Sequence, residues 1–215
     1  MLFADMGDID YFIAGDYDNA YRNYTESVSL GNDTASVRYR LGYIEYARHD
    51  YRAALNSFLR AAAGAPGDNN VLLALGNTLS LRGDNYAAEG YYSRLMSQLE
   101  LRRAQEGILL PQVTPDQTEL IEMMLKASNN LGVTLFRLAE RTGSSAYNAQ
   151  AMVHLSQSMR AWDALTRNQT TMIRLGGSNL AEQNMSYMSR PLSTYEPAIY
   201  TELPRTLMGE EDLAG

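Results

Sequence analysis

The sequence contains no cysteine, a single lysine (Lys126) and two histidines (His49 and His154) in 215 residues. Without cysteine there is no disulfide, no thiolate nucleophile and no zinc–thiolate site. The two histidines stand far apart in sequence and each is isolated, the usual setting of a surface or partly packed histidine, so neither a metal nor another cofactor is implied. A lone lysine followed by Ala127 excludes the Gly-Lys-Ser/Thr core of a Walker phosphate loop. Gly176-Gly177-Ser178 has no strand before it to make a nucleophile elbow. No enzyme motif survives this search. Long apolar runs are missing too: Val71 to Leu75 and Ile108 to Leu110 fall far short of the roughly 20 residues of a membrane helix. Asp5, Asp8 and Asp10 occupy the stretch where a secretory leader carries positive charge, so the sequence leaves the compartment open between cytoplasm and bacterial periplasm. Basic residues are the minority, 18 against 25 acidic for a net charge of -7, which disfavours nucleic acid and anionic membranes and leaves neutral or basic protein partners.

What the sequence does have is an internal repeat. Gly15-Asp16-Tyr17-Asp18-Asn19-Ala20, His49-Asp50-Tyr51-Arg52-Ala53-Ala54 and Gly83-Asp84-Asn85-Tyr86-Ala87-Ala88 recur at intervals of 34 residues. A fixed period of this length signals stacked supersecondary units. Aligned on these segments, Tyr24, Phe58 and Tyr92 fall together, as do Ser27, Ala61 and Leu95. Leu41-Gly42 and Leu75-Gly76 match before the turn, whereas the first copy has Met6-Gly7, one residue out of step. The pattern reads as two antiparallel helices per unit that approach closely at small residues, Gly42 with Ala54 and Gly76 with Ala88. The Gly-Asp pair supplies a left-handed helix end followed by an N-cap for the next helix.

These residues resemble the tetratricopeptide repeat (TPR) family, whose pattern runs Leu-Gly, Gly-x-Tyr-x-x-Ala, an aromatic, a small residue and a proline. Residues 35–68 carry nearly all of it, in Leu41, Gly42, Tyr51, Ala54, Phe58, Ala61 and Pro66. The resemblance implies an all-α fold, a right-handed superhelical solenoid of antiparallel helix hairpins. Its units are residues 1–34, with a truncated or displaced first helix, residues 35–68, and residues 69–106 with an extended second helix.

Beyond these units the pattern loosens. A connector over residues 107–117 leads through Thr114-Pro115-Asp116-Gln117, which reads as a capping box with proline at the first helical position. A degenerate hairpin follows over 118–162, carrying Leu131-Gly132 and then Ala151, Leu155 and Ser158. Residues 163–190 are expected to form a capping helical segment. Residues 191–215, with Pro191, Pro197 and Pro204 among Tyr195, Ile199, Tyr200 and Leu203, are expected to form an extended tail. The missing part of the first helix suggests a piece of a larger protein.

The family implies a non-catalytic protein-protein interaction scaffold that binds a partner peptide or helix in a concave groove lined by the first helices. The groove residues carried over are Ser36, Tyr39, Tyr43 and Tyr46 from the second repeat and Asn70, Leu73, Asn77 and Ser80 from the third. Ile9 and Phe12 are a possible extension from the first. Tyr39, Tyr43 and Tyr46 share one helical face, where tyrosine offers large apolar area with a hydrogen-bonding tip. No arginine or lysine stands at these positions, so a carboxylate clamp for acidic C-termini is not expected. In general arrangement, the chain also looks similar to scaffold proteins of the spirochaete periplasmic flagellar apparatus. That likeness implies an alternative role as a structural subunit of a larger bacterial assembly, with the tail or a neighbouring copy filling the groove and self-association through the tail.

Overall fold

A computed structural model describes residues 2–167, 179–189 and 195–210, and among them every regular element is a helix. In chain order these are α1 (Leu2–Asp8, continuing as a π-helical stretch Ile9–Ala14), α2 (Tyr17–Ser29), α3 (Ala35–Ala47), α4 (Tyr51–Gly64), α5 (Asn69–Leu81), α6 (Asn85–Gln105), α7 (Thr118–Thr142), α8 (Ser145–Thr166) and α9 (Leu180–Ser189). Pro191 and the expected start of the tail lie outside the described residues, as do residues 168–178 between α8 and α9.

The Gly-Asp turns do what their chemistry implies. Gly15, His49 and Gly83 take positive φ, 66°, 61° and 81°. The aspartate after each then caps the next helix: Asp16 accepts from the Asn19 N–H, Asp50 from that of Ala53 and Asp84 from that of Ala87. Each such cap stabilises its helix by about 1 kcal/mol. Thr114 and Gln117 also pair, the Gln117 side chain accepting from the Thr114 N–H at 3.1 Å, and the turn they open is a short 3-10 segment, Pro115–Gln117, ahead of α7.

Close approach within a hairpin rests on one glycine, and what it makes room for is a large side chain. A Cβ on Gly42 would lie 2.7 Å from the Phe58 ring, one on Gly7 2.6 Å from the Tyr24 ring, and one on Gly132 2.7 Å from Leu155. The alanine opposite, Ala54 in the second hairpin, is buried but is not what meets the glycine. The displacement of Met6-Gly7 has its own physical form. A π-helix holds more residues per turn, so Ile9–Ala14 absorbs the odd residue and still brings Gly7 under Tyr24. The helical run from Leu2 to Ala14 is therefore not short: seven α-helical residues are followed by six π-helical ones.

The chain divides into two compact units, Met1–Arg82 with Glu202–Gly215, and Gly83–Thr201. In the first, α1 packs on α2, α3 on α4 and α4 on α5, around Tyr11, Phe12, Ala20, Tyr24, Val37, Leu41 and Ile44. In the second, α7 and α8 form a long hairpin, α6 packs on α7, and α9 packs on α8. Its cluster of Val133, Leu155, Ala181 and Ile199 is lined by Met159, Met185 and Met188.

Candidate functional site

In the first unit, side chains of the first helices reach an extended stretch of the C-terminal segment, residues 202–210, and most of them bond to its main chain. The Tyr39 hydroxyl donates to the Pro204 carbonyl at 2.8 Å, and the Tyr11 hydroxyl to the Arg205 carbonyl at 2.9 Å. Asn70 Nδ2 donates to the Thr206 carbonyl at 2.9 Å. Three successive carbonyls are thus held by α3, the π-helical stretch and α5. Burial pushes the Tyr11 and Tyr39 phenols well above their ordinary pKa, so both stay protonated as donors. Asp68 serves twice: its Oδ1 caps α5 by accepting from the Asn70 and Val71 N–H groups, and its Oδ2 accepts from the Met208 N–H at 2.8 Å.

Two charged side chains of the segment are also seated. The Arg205 guanidinium lies 5.0 Å from the Tyr11 ring centroid and 5.4 Å from that of Phe12, and donates to the Tyr11 carbonyl. The Glu210 carboxylate accepts from the Ser36 hydroxyl and from Arg40 Nη2 at 3.0 Å. Arg40 is itself fixed by Asp8, 2.8 Å away, and lies over the Phe12 ring. Cation–π contact and bidentate use of the guanidinium both favour arginine here.

The sequence-derived groove residues therefore separate. Ser36, Tyr39, Asn70 and Phe12 meet at the segment. Tyr43 is half-buried, with its ring 5.7 Å from that of Tyr11 and 6.2 Å from that of Tyr17, beside the first-unit core. Tyr46 is bonded to Asn77 and its ring lies 5.5 Å from that of Tyr51. Leu73, Asn77 and Ser80 are buried on α5. Ile9 faces solvent. Tyr11, Arg40 and Asp68 were not singled out from sequence. Arg40 follows Tyr39 directly, and Asp68 is an aspartate at the start of α5, an N-cap signal that could have marked it.

The second unit repeats the arrangement with asparagines. Tyr200 donates its N–H to Asn130 Oδ1 at 2.7 Å while its carbonyl accepts from Asn130 Nδ2 at 2.8 Å. Asn184 on α9 does the same for Ala198, at 2.9 Å in both directions, and Asn129 adds a bond to that carbonyl at 3.1 Å. Arg137 Nη2 donates to the Pro197 carbonyl at 3.0 Å, and the Tyr195 hydroxyl donates to Asn184 Oδ1 at 2.7 Å. Ile199, between the two doubly bonded residues, points its side chain into the apolar cluster. This is strand-like alternation satisfied by side-chain amides in place of a neighbouring strand. Asn129 stands three residues before Gly132 as Tyr39 stands three before Gly42, a register that could have marked it.

Among the described residues, no group of three or more His, Asp or Glu side chains could hold a metal ion, and no helix is long and apolar enough to cross a membrane. The class these features define is an all-helical chain of antiparallel hairpins, in the described residues, that holds its own C-terminal segment by the main chain. No protein-family model and no curated protein matches the sequence. The chain is similar to two solved structures of the protein MamA. One is 16% identical over 74% of this chain and 92% of that one, the other 15% over 76% and 98%, each with a TM-score of 0.42.

Proposed function

We propose that this chain is a non-catalytic, TPR-type interaction scaffold whose first-helix faces bind extended polypeptide. The observation that carries the reading is the trio of carbonyls at 204–206 held by Tyr39, Tyr11 and Asn70. Main-chain recognition of this kind gives affinity with little demand on sequence, while Arg205 and Glu210 supply the selective contacts. Ser36, Tyr39, Asn70 and Phe12 form the proposed binding face in the first unit, with Tyr43, Tyr46, Leu73, Asn77 and Ser80 supporting it. A foreign partner would have to displace the chain's own segment, and neutral or basic partners suit the acidic chain.

The seated tail favours the structural alternative in one respect: the face is already filled from within, as in a subunit that uses its tail as a strap. The two roles separate on truncation after Arg190. If the face binds polypeptide, the shortened chain remains helical by circular dichroism and takes up a synthetic 195–215 peptide in isothermal titration calorimetry. Tyr39→Phe together with Asn70→Ala then weakens uptake by about 30-fold, since each of the two lost hydrogen bonds contributes about 1 kcal/mol. A helical truncated chain that ignores the peptide would sink the proposal. If the tail also exchanges between copies, light scattering of the full chain shows dimers that the truncation abolishes.

A further inference from the structure

One surface is left unused by the strap. Leu2, Met6, Ile9 and Ile13 are spaced four, three and four residues apart and are 69%, 43%, 55% and 69% exposed. On a helix that spacing makes a single stripe. The positions that match Leu2, Met6 and Ile9 in the other first helices are buried. Val37, Leu41 and Ile44 on α3 are 3%, 4% and 1% exposed, Val71 and Leu75 on α5 1% and 0%, and Ala127 and Leu131 on α7 0% and 1%. In each of those cases the second helix of the preceding hairpin packs on the first helix: α2 on α3, α4 on α5 and α6 on α7. The α1 stripe is thus shaped to receive a helix, and among the described residues no helix covers it.

Charge selects the kind of helix. Residues 2–14 contain Asp5, Asp8 and Asp10 and no basic side chain. Asp8 is committed to Arg40 and Tyr24, and Asp10 accepts from the neutral side-chain amide of Asn23 at 2.7 Å; helical spacing puts Asp5 on one flank of the stripe and Asp10 on the other. Two copies joined through this face would bring acidic flanks together, an arrangement that costs binding energy. We propose that the α1 stripe is a docking surface for an amphipathic α-helix of another protein, with apolar residues at the same three-and-four spacing and lysine or arginine on its flanks. The apolar stripe gives the contact area, and the basic flanks meet Asp5 and Asp10.

The proposal does not depend on the strap and is tested on the full chain. The probe is a fluorescein-labelled synthetic helix with leucine at three-and-four spacing flanked by lysine, beside a twin with glutamate flanks. Anisotropy titration is expected to show binding of the lysine peptide, with the glutamate peptide weaker by at least about ten-fold. Ile9→Asp, at an exposed position and checked for fold by circular dichroism, is expected to weaken the lysine peptide by a similar factor. Mere charge attraction predicts the opposite, because the variant adds a negative charge. Unchanged or tighter binding by Ile9→Asp overturns the proposal, as does equal binding of the two peptides or no binding by the parent chain. A parent chain that is dimeric in light scattering and monomeric as Ile9→Asp also overturns it, in favour of a second copy as occupant.

Discussion

Asn130 behaves as a strand neighbour compressed into one side chain, satisfying both the N–H and the carbonyl of Tyr200. Asn130→Ala removes one hydrogen bond from each of two buried main-chain groups. At roughly 1–3 kcal/mol for each, the variant should lose about 2–6 kcal/mol in urea unfolding followed at unchanged slope. Glu45 offers a titration test. It accepts from the Ser57 hydroxyl at 2.6 Å and the Tyr21 hydroxyl at 3.4 Å, yet burial pushes its carboxyl above the usual range. An acid whose folded pKa is raised contributes stability that is full below the ordinary carboxylate pKa and is lost as pH rises through the raised value. Glu45→Gln is neutral throughout, so its urea midpoint should gain on that of the parent between acid and neutral pH; parallel curves would refute the assignment. At this scale the sequence was only partly legible. Tyr39 was singled out because it lies in the best-matching repeat. Asn129, Asn130 and Asn184 were missed because their roles depend on a partner 14 to 70 residues away.

The hairpins themselves were legible because their punctuation is local. A left-handed residue followed by an aspartate cap needs only neighbours, so Gly15, His49 and Gly83 marked three turns. The partner of each crossing glycine was less visible: Ala54 is the small residue in the pattern, but the Phe58 ring fills the space Gly42 leaves. This makes a graded prediction. Gly42→Ala and Gly132→Ala push a methyl into Phe58 and Leu155 and should each cost about 1–3 kcal/mol by thermal or urea unfolding. Gly90 on α6 has nothing within 4 Å of an added Cβ, so Gly90→Ala should stabilise by about 0.5–1 kcal/mol. Equal effects at the three sites would refute the crossing assigned to Gly42 and Gly132. The π-helical stretch shows why the first repeat looked irregular. One inserted residue shifts every alignment before it by one, but the helix absorbs it locally and Tyr11 and Phe12 are still placed in the core.

At the scale of the molecule, the first compact unit is assembled from both ends of the sequence. Its helices come from Met1–Arg82 and its strap from residues 202–210. The repeat period pointed to helical hairpins and the prolines to an extended tail, and a tail lying in the groove was one alternative; the individual contacts between them were beyond the sequence. Tyr11 and Arg205 are separated by 194 positions. That separation sets an order of events during synthesis. The ribosome delivers α1, α3 and α5 long before it delivers residues 202–210, so the seats for three carbonyls and for Glu210 are made first and stand empty until the strap emerges. Until then Tyr11, Tyr39 and Asn70 lack the carbonyls they hold in the finished fold, so this part of the unit closes last.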